Sequence, residues 1–411
     1  MRRRKMSFDT FLIVGGNFNN KGAEAMMYIA ICEIRRRFPQ AEIYTLVGNA
    51  KLEEKKHSNL RTVFIEDNVE VRRYLARDFR LEKIKSFLKY CILNMVTGDL
   101  KKIEKIYNQI LTSKTAIVDI SGYGLASNWP IAANMNYINL IRYAKKHNTT
   151  VYLFPQSFGP FEYNNSKVAI EKYIKEYLPY CKTIFAREKE GADLLQNKYG
   201  LSNVRVSTDL VLENKNLDFS LVFSHRPSLI YPKATGKFNI AVLPNYKLLE
   251  NKTEKEVISF FVKAIEGINV RYKIYLVSHA HEDLELCRKI KSCFEDSERV
   301  ELVEQELNCL EYSAFVTQMN FAIASRYHSI VHAYKNDVPC IVLGWATKYV
   351  ELLALFEQNN YMLDIRKGVG EEKLVSAIKE MEERYLLESQ KISSIRKVVQ
   401  GQNCFDILME E

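Results

Sequence analysis

The sequence predicts an α/β protein with two Rossmann-like, doubly wound domains that face a cleft. Short apolar runs, rich in β-branched and aromatic residues, alternate with amphipathic helical stretches along most of the chain. The runs show no alternation of polar and apolar residues, which is typical of parallel strands that helices cover on both faces. The length of 411 residues also exceeds what one ordinary core holds, so we expect two domains.

The first half of the chain, residues 1–222, reads as an N-terminal domain in which strands and helices alternate. The predicted strands are TFLIVGG, EIYTLVG, TVFIE, AIVDISG, TVYLFPQS, TIFAR and VRVSTD. The helical stretches between them are predicted at 22–37, over a long charged region that ends near 112, and at 131–146, 166–177 and 188–198.

A polar segment with two prolines, FSHRPSLIYPKATGK at 223–237, is the best candidate for a linker. The alternation then resumes in a C-terminal domain at 238–390, with strands NIAVLP, KIYLVSH, RVELVE, FAIASR and PCIVLG. Helices are predicted at 254–267, 282–294, 310–318 and 328–336. A helical pattern continues through most of the chain after 371, and residues 391–411 are predicted to form a helical tail.

Composition narrows the class of partner and the compartment. A net charge of +9 favours an anionic substrate or a membrane surface over nucleic acid, which we do not expect as a partner. The eight cysteines form no CxxC pair, so they predict reduced thiols in a cytoplasmic protein. No apolar run is long enough to span a membrane. The basic start MRRRKM leaves open a peripheral contact with anionic lipid at the inner membrane face.

The first motif at a strand end is VGGNFNNKGAEAMM, where glycines separate a strand from a helix. It matches neither a Walker loop nor a GxGxxG fingerprint. Its backbone amides could cradle an anion at the helix N-terminus, or it could be a tight βα turn, and both interpretations remain open. The candidate residues in it are Gly15, Gly16, Asn17, Gly22 and Glu24.

Two further loops follow buried strands. DISGYGLASNW supplies Gly122, Tyr123 and Gly124, and LFPQSFGPF supplies Gln156 and Ser157. In an open α/β sheet, ligands bind beyond the carboxyl ends of the strands, so these residues are candidates for holding a ligand. The alternative is that each loop is a structural turn.

Cationic residues also stand at strand ends. Arg187 ends TIFA, where it could clamp a carboxylate or phosphate or else pair with Glu188 or Glu190. Arg326, Tyr327 and His328 lie where FAIAS becomes a helix, which places a fork of donors, a helix dipole and a titratable group together. Lys348 lies near the same edge.

Histidine spacing gives little support for a metal. His332 follows His328 by one helical turn, but no HExxH pattern and no third ligand accompany the pair, so we expect no metal. His279 and His281 in SHAHED read as part of a solvated loop.

In this order, the motifs resemble those of the polysaccharide pyruvyl transferase family. GGNFNNKGAEAM is similar to its N-terminal glycine–asparagine loop, SGYGLA to a glycine turn, and PQSFGP to Gln-Ser-x-Gly-Pro. FAREKEGADLL with Asp209 resembles its Arg-Asp…Leu motif and downstream Asp. SRYHSIVHAYKNDVPCIVLGWATK resembles its block from Arg-x-His to the final Lys. Departures include Glu188 in place of Asp and Trp345 in place of Tyr.

The resemblance implies a GT-B-like fold and the transfer of the enolpyruvyl group of phosphoenolpyruvate to two hydroxyls of a sugar, with release of phosphate. It implies that Arg187, Arg326 and the backbone of Tyr327 hold the donor and that His328 is the acid; we add Lys348 to the donor residues. On this resemblance, we expect the C-terminal domain to be the donor side and the N-terminal domain, with its glycine loops, to be the acceptor side. Phosphoenolpyruvate is a co-substrate, and no cofactor is implied. The acceptor can be free or linked to polyprenyl diphosphate.

Two other functions remain open at this stage. One is a GT-B glycosyltransferase that uses a nucleotide sugar, for which Glu351 is the candidate ribose-binding carboxylate. The other is a non-catalytic protein of polysaccharide assembly. Donor-dependent turnover distinguishes the latter from the two enzymes.

Overall fold

The computed structural model describes residues 8–76, 91, 100–163, 168–250, 252–294, 297–344, 346–364 and 371–410. The basic N-terminal segment, much of the long charged region before 112, the first residues of the helix predicted at 166–177, and Trp345 lie outside the described residues. Within the described part, the chain forms two parallel sheets, each layered between helices. The fold is therefore the two-domain α/β architecture that the sequence predicts.

The N-terminal sheet has seven described strands in the order β3-β2-β1-β4-β5-β6-β7, and all neighbouring pairs are parallel. Their interior residues are almost wholly buried, which explains why the sequence shows apolar runs without alternation. The strands β1 to β7 span Thr10–Val14, Glu42–Val47, Val63–Glu66, Thr115–Asp119, Thr150–Gln156, Thr183–Ala186 and Val204–Val206.

Helices cover both faces of this sheet. Helix α1 is capped by Asn20, whose side chain accepts from the amides of Gly22 and Ala23. The stretch predicted as one helix at 188–198 is a short α-helix followed by a π-helical turn, Leu194–Lys198. The helices α1 to α9 span Lys21–Arg37, Ala50–Lys56, Val69–Ala76, Leu100–Ile110, Ile131–Lys146, Val168–Tyr177, Lys189–Asp193, Leu210–Glu213 and Phe219–Val222.

The C-terminal sheet repeats the same winding, with six described strands in the order β10-β9-β8-β11-β12-β13. The strands β8 to β13 span Phe238–Leu243, Tyr272–Leu276, Val300–Leu302, Phe321–Ala324, Cys340–Gly344 and Met362–Asp364. The helices α10 to α15 span Glu254–Gly267, Leu284–Ser292, Cys309–Val316, Tyr327–Lys335, Thr347–Leu355 and Glu371–Val399.

In each sheet, the strand order reverses direction beside the first strand. These topological switch points lie between β1 and β4 in the first sheet and between β8 and β11 in the second. A crevice opens at such a point beyond the carboxyl ends of the strands, and ligands bind there in open α/β sheets. The strand order therefore directs attention to the loops after β1, β4, β8 and β11.

The two sheets are joined by a continuous apolar core. One buried cluster contains Met27 and Ile31 of α1 together with Tyr312 of α12 and Ile330 of α13. Interfaces between domains that are large and apolar restrict relative motion. We infer that α1 fixes the orientation of the two sheets.

Most predicted elements are confirmed, and the differences are local. The sequence interpretation missed α2, α8, α9, α14 and β13. The last of these is a three-residue edge strand, too short for a periodic signal. The segment 223–237 forms no helix and no strand. It has one isolated bridge, from Phe223 to Leu60.

The C-terminal part of the chain returns to the first sheet. Helix α15 is continuous across residue 390, where the sequence suggested that a tail begins, and the placing of that boundary stays a prediction. Beyond the helix, the Cys404 amide donates to Glu213 at 3.0 Å, and Asp406 pairs with Arg37 at 2.5 Å. None of the described helices is long and apolar enough to cross a membrane.

Candidate active site

A cleft of about 300 Å³ lies where the switch points of the two sheets face each other. We call it the interdomain cleft. The loops after β1 and β4 form one wall, and the loops after β8 and β11 form the other. The residues that line it are Gly15, Asn17, Asn20, Ala23, Met26, Ser121, Gly122, Tyr123, Trp129, Arg187, Asn245, Lys247, His279, Arg326, Tyr327, His328, Lys348 and Tyr349.

His328, in the first turn of α13, is held between the two domains. Its Nε2 lies 3.3 Å from the buried Oδ2 of Asp209, which belongs to the N-terminal domain. On another side, Gly22 of α1 packs so closely that a Cβ atom there would come within 2.1 Å of the imidazole Cγ. Gly22 is therefore required to make room for the imidazole, and its amide is already bonded to Asn20.

The protonation state of His328 follows from its surroundings. Burial is the largest influence and lowers the pKa of His328, while the nearby carboxylate of Asp209 works in the opposite direction. Burial raises the pKa of Asp209, but His328 and Arg187 outweigh it and hold that pKa below its ordinary value. In the free protein at neutral pH, His328 is thus a neutral imidazole beside an ionised carboxylate.

The two terminal nitrogens of Arg187 hold the N-terminal wall of the cleft. Its Nη1 donates to Asp209 at 2.8 Å, and its Nη2 donates to the carbonyl of Gly122 at 2.6 Å and to the hydroxyl of Ser157 at 2.9 Å. Its guanidinium also lies 4.6 Å from the ring centroid of Tyr327 in the other domain. One carboxylate, Asp209, therefore positions both Arg187 and His328.

Arg326 is paired in the same manner on the C-terminal wall. Its guanidinium donates to both oxygens of Asp283, at 2.6 and 2.7 Å, and to Glu282 at 2.6 Å. Asp283 is fully buried, so this bidentate pair is shielded from solvent. The charge of Arg326 is compensated before any ligand arrives.

Lys348, in the first turn of α14, is a cation that no described carboxylate pairs with. Its Nζ lies 5.5 Å from the ring centroids of both Tyr123 and Tyr327, and 5.7 Å from that of Tyr349. Burial, and then the nearby Arg187, lower its pKa to about 8, so it remains mostly charged at neutral pH. Lys348 therefore presents an available positive charge to the cleft.

The structure brings only part of the predicted loop residues to the cleft. Gly15, Asn17, Gly122 and Tyr123 line it. Gly15 has a φ of 92°, and its loop passes so close to Ser121 that no side chain fits there.

The remaining loop residues have other positions. Gly16 packs on Met27, and Gly124 packs on the ring of Tyr137. Gln156 is fully buried and bonded to Tyr137, so the interpretation of it as a binding residue receives no support from this position. Ser157 does not line the cleft itself, but its hydroxyl accepts a hydrogen bond from Arg187, which does.

Glu24 also lies away from the cleft. Its carboxylate accepts from the amide of Cys309 at 2.7 Å, at the start of α12 in the other domain, and from the hydroxyl of Tyr28 at 2.7 Å. Burial raises the pKa of Glu24 to about 7. Beside it, Lys21 donates to the carbonyl of His279 at 3.0 Å. The NKGAE segment therefore joins the two domains.

His279 corrects the interpretation of SHAHED as a solvated loop. Its side chain is fully buried at the floor of the cleft and lies edge-on against Tyr312, in the loop that begins after β9 ends at Leu276. His281 is the exposed member of the pair and lies 3.2 Å from Glu306. Among the described residues, no group of three His, Cys, Asp or Glu side chains is placed to hold a metal.

Comparison with known proteins decides the family. A model of the polysaccharide pyruvyl transferase family matches residues 20–347, which is most of the chain. The chain belongs to the polysaccharide pyruvyl transferase family. No curated protein sequence matches it. The match includes Gly22, Arg187, Asp209 and His328, all of which meet at the cleft.

Solved structures similar to this pyruvyl transferase family member share its fold at low identity. MnaA of S. aureus, solved with UDP, has a TM-score of 0.55 and 11% identity, covering 95% of this chain and 92% of that one. A mutant of S. aureus TarM, solved with fondaparinux, α-GlcNAc-glycerol and UDP, has a TM-score of 0.55 and 10% identity, covering 98% of both. A glycosyltransferase of Rickettsia africae has a TM-score of 0.54 and 12% identity, covering 98% and 96%. These likenesses show a GT-B fold.

Sequence patterns left several cleft residues of this pyruvyl transferase family member without a role. Asp209 was noted only as part of a motif, although it joins His328 and Arg187. Trp129 and Asp283 entered only as the last residues of DISGYGLASNW and SHAHED, and Lys247 was not considered. For Trp129 and Lys247 the available signal was their position after β4 and β8, since these strands flank the switch points.

Proposed function

We propose that this chain transfers the enolpyruvyl group of phosphoenolpyruvate to two hydroxyls of one sugar, forming a cyclic pyruvate ketal and releasing inorganic phosphate. The observation that carries the proposal is the position of His328 in a cationic cleft, with Asp209 behind it and Lys348 among the lining residues. Phosphoenolpyruvate carries a carboxylate and a phosphate, so it needs cations near a proton donor. The membership of the family supports the same reaction.

We propose that the donor binds at the C-terminal wall. Helix α13 begins at the cleft, and its N-cap residue, Arg326, makes no side-chain cap. The positive end of the helix dipole and Lys348 favour an anion there. Because Arg187 and Arg326 are already paired with carboxylates, we assign them mainly to shaping the site, with their outer N–H groups available to the donor.

In the proposed reaction, His328 gives one proton to the donor and receives one from the acceptor. An acceptor hydroxyl oxygen bonds to C2 of phosphoenolpyruvate while protonated His328 delivers a proton to C3, which becomes the methyl group. The proton of that hydroxyl returns to His328. The oxygen of the second hydroxyl then bonds to C2, the C2–O bond to phosphate breaks, and the proton of this hydroxyl leaves with the phosphate. These steps use no cofactor.

Binding of the donor prepares His328 for this role. The imidazole is neutral in the free protein because burial lowers its pKa. A bound trianion favours the protonated form, so His328 takes up a proton from solvent when the donor binds and later delivers it to C3. General acid catalysis of this kind contributes about 10²–10⁴-fold.

An amphiphilic acceptor, such as a sugar on polyprenyl diphosphate, is supported by a groove of about 380 Å³ beside the cleft. The groove shares Arg187, Tyr327 and Lys348 with the cleft, and its other lining residues are six apolar and five polar ones, including Glu188 and Glu351. It opens to solvent through exposed apolar side chains, namely Val206, Leu355 and Val398. We call it the apolar groove and propose that it receives the lipid part of the acceptor.

We place the reaction in the cytoplasm, at the inner face of the membrane. The described cysteines are all free thiols, in keeping with a reducing compartment. The apolar groove and the net charge of +9 support contact with an anionic lipid surface.

A nucleotide-sugar glycosyltransferase receives less support from the site. Glu351, the candidate for a ribose, accepts from the amides of Lys189 at 2.6 Å and Glu190 at 3.1 Å. Both of its oxygens are therefore used to cap α7 from the other domain. A non-catalytic role leaves the arrangement of His328 and Asp209 unexplained.

The proposal is tested by comparing the turnover of the wild-type protein with that of a variant that lacks His328. The protein is incubated with phosphoenolpyruvate and a panel of p-nitrophenyl hexosides and hexose 1-phosphates, and products are examined by mass spectrometry for a gain of one pyruvate minus one water. We expect this product together with released phosphate, and a loss of about 10²–10⁴-fold in turnover for His328→Gln. Near-wild-type turnover in that variant would refute the assignment of the acid.

A further inference from the structure

The mouth of the cleft carries two aromatic rings on the N-terminal wall. Tyr123 and Trp129 follow β4, their ring centroids are 5.3 Å apart, and their planes are inclined by 57°. Both are only half-buried and line the cleft. The hydroxyl of Tyr123 donates to the carbonyl of Gly159 at 2.7 Å, which fixes its ring. Apolar ring faces at the edge of a polar cleft are suited to stack on the C–H face of a sugar ring.

A lysine from the opposite domain faces this pair. Lys247, after β8, has its Nζ 5.6 Å from the ring centroid of Trp129. The backbone that carries it is fixed, because the Lys247 amide donates to Asn245 and the neighbouring amide of Tyr246 donates to Asp283. The lysine is thus presented from the same loop that supports Arg326.

Lys247 makes no ion pair within the described part of the chain, although it helps to lower the pKa of Glu282. The carboxylates at this wall are already used: Asp283 and Glu282 are both ion-paired with Arg326. The deeper cation, Lys348, together with the start of α13, meets the needs of the donor. Lys247 is therefore available for an anion that is not the donor.

We propose that Tyr123, Trp129 and Lys247 form an acceptor subsite for a sugar ring that carries an anionic group, either a phosphate ester or a carboxylate. The ring stacks on the aromatic pair, and the anionic group binds the ammonium of Lys247. The subsite draws one half from each domain, so such a ligand bridges the two walls of the cleft. This inference rests on the proposed function, since it supplies the recognition of the sugar acceptor.

The test uses the fluorescence of Trp129. The chain has two tryptophans, so Trp345→Phe leaves Trp129 as the sole one. This protein is titrated with galactose 1-phosphate, with galacturonic acid and with neutral methyl galactoside. We expect a change in emission with the two anionic sugars at a Kd about tenfold below that of the neutral sugar, as one added ion contact of about 1.4 kcal/mol gives. A response to only one anionic sugar assigns the phosphate or the carboxylate as the group bound.

Matched variants separate the subsite from general charge effects. Lys247→Met, made in the same background, is expected to abolish the tenfold preference. Lys237→Met is the control, because Lys237 is likewise exposed and lies 5.6 Å from the Phe238 ring, outside the cleft. Equal affinity for charged and neutral sugars, no response to any of them, or a preference that survives Lys247→Met would overturn the proposal.

Calorimetry with phosphoenolpyruvate distinguishes a failure of the subsite from a failure of the proposed function. We expect Lys247→Met to leave the Kd for phosphoenolpyruvate within about twofold of wild type. A weakening of tenfold or more in that variant would assign Lys247 to the donor and contradict the subsite. If the wild-type protein did not bind phosphoenolpyruvate, the proposed function would be contradicted, whatever the affinities for the sugars.

Discussion

At the scale of single residues, the site depends on a few close approaches between the domains. His328 reaches the cleft from the C-terminal domain but is held by Asp209 and bounded by Gly22, both from the N-terminal domain. Asp209 adds a second link, since it also binds Arg187. The acid of the reaction is therefore assembled only when the two domains meet.

Gly22→Ala is expected to lower kcat strongly and the free energy of unfolding only moderately. The new Cβ would lie 2.1 Å from Cγ of His328, so the imidazole has to move away from Asp209. We expect a fall of at least tenfold in kcat with a change in unfolding free energy of only about 1–3 kcal/mol. Kinetics and chemical denaturation measure the two effects.

The control for this change is Gly48→Ala. Nothing lies within 4 Å of a Cβ built at Gly48, so its activity should equal that of wild type. If Gly22→Ala retained full turnover, the close packing of the glycine loop on His328 would have no catalytic meaning.

At the scale of elements, carboxylates from each domain cap helices of the other. Glu24 binds the first amide of α12, and Glu351 binds the first amides of α7. Helix N-termini are favourable places for negative charge, so these contacts fix the helices that carry the cleft loops. The sequence placed Glu24 in the first turn of its own helix but gave no sign of the helix in the other domain.

The pH dependence of stability is expected to reveal Glu24. Burial raises its folded-state pKa to about 7, from 4.5. Stability that comes from the protonated form is fully present below pH 4.5 and is lost as the pH rises through about 7. Relative to Glu24→Gln, the wild-type protein should lose roughly 2–4 kcal/mol of unfolding free energy between pH 5 and pH 8.

The groups that surround Glu24 set the conditions of this experiment. Lys21, Tyr28 and Cys309 are the charged or titratable groups nearest to it, and burial shifts the pKa of each towards the neutral form. Urea denaturation at several pH values measures the difference between the two proteins. A difference that stays constant with pH would show that Glu24 does not titrate in this window.

The strands, most of the helices and the edge of the sheets at which the site lies could be predicted from the sequence. Buried parallel strands leave apolar runs, and strand order places motifs such as SRYHS at one edge. Sequence reasoning did not separate residues that touch the cleft from those that support it. Gln156 and Glu24 belong to motifs, yet burial and partners from other elements decide their roles. Such partners lie far away in sequence and leave no local pattern.

At the scale of the whole molecule, the cleft and the apolar groove form one surface that crosses both domains. The groove is lined by the end of β7, by α14 and by the C-terminal part of α15. That helix belongs to the second domain, and the chain after it binds Glu213 and Arg37 of the first. The C-terminal segment thus helps to hold the two domains around the site.

Val398→Glu tests the groove without touching the cleft. Val398 is 73% exposed, so the substitution should leave folding unchanged. If the groove receives a lipid chain, the KM for a polyprenyl-diphosphate-linked sugar should rise about tenfold, while the KM for a p-nitrophenyl hexoside should stay the same. Equal effects on both acceptors, or on neither, would contradict the assignment.

The most direct test of the central claim is calorimetric titration of the protein with phosphoenolpyruvate in two buffers of different ionisation enthalpy. We expect binding with the uptake of up to one proton at pH 7.5, since the donor raises the lowered pKa of His328. In His328→Gln, binding should persist and the additional proton uptake should vanish, which corrects for protons on the donor itself. Binding of UDP without phosphoenolpyruvate binding, or the same proton uptake in both proteins, would contradict the account.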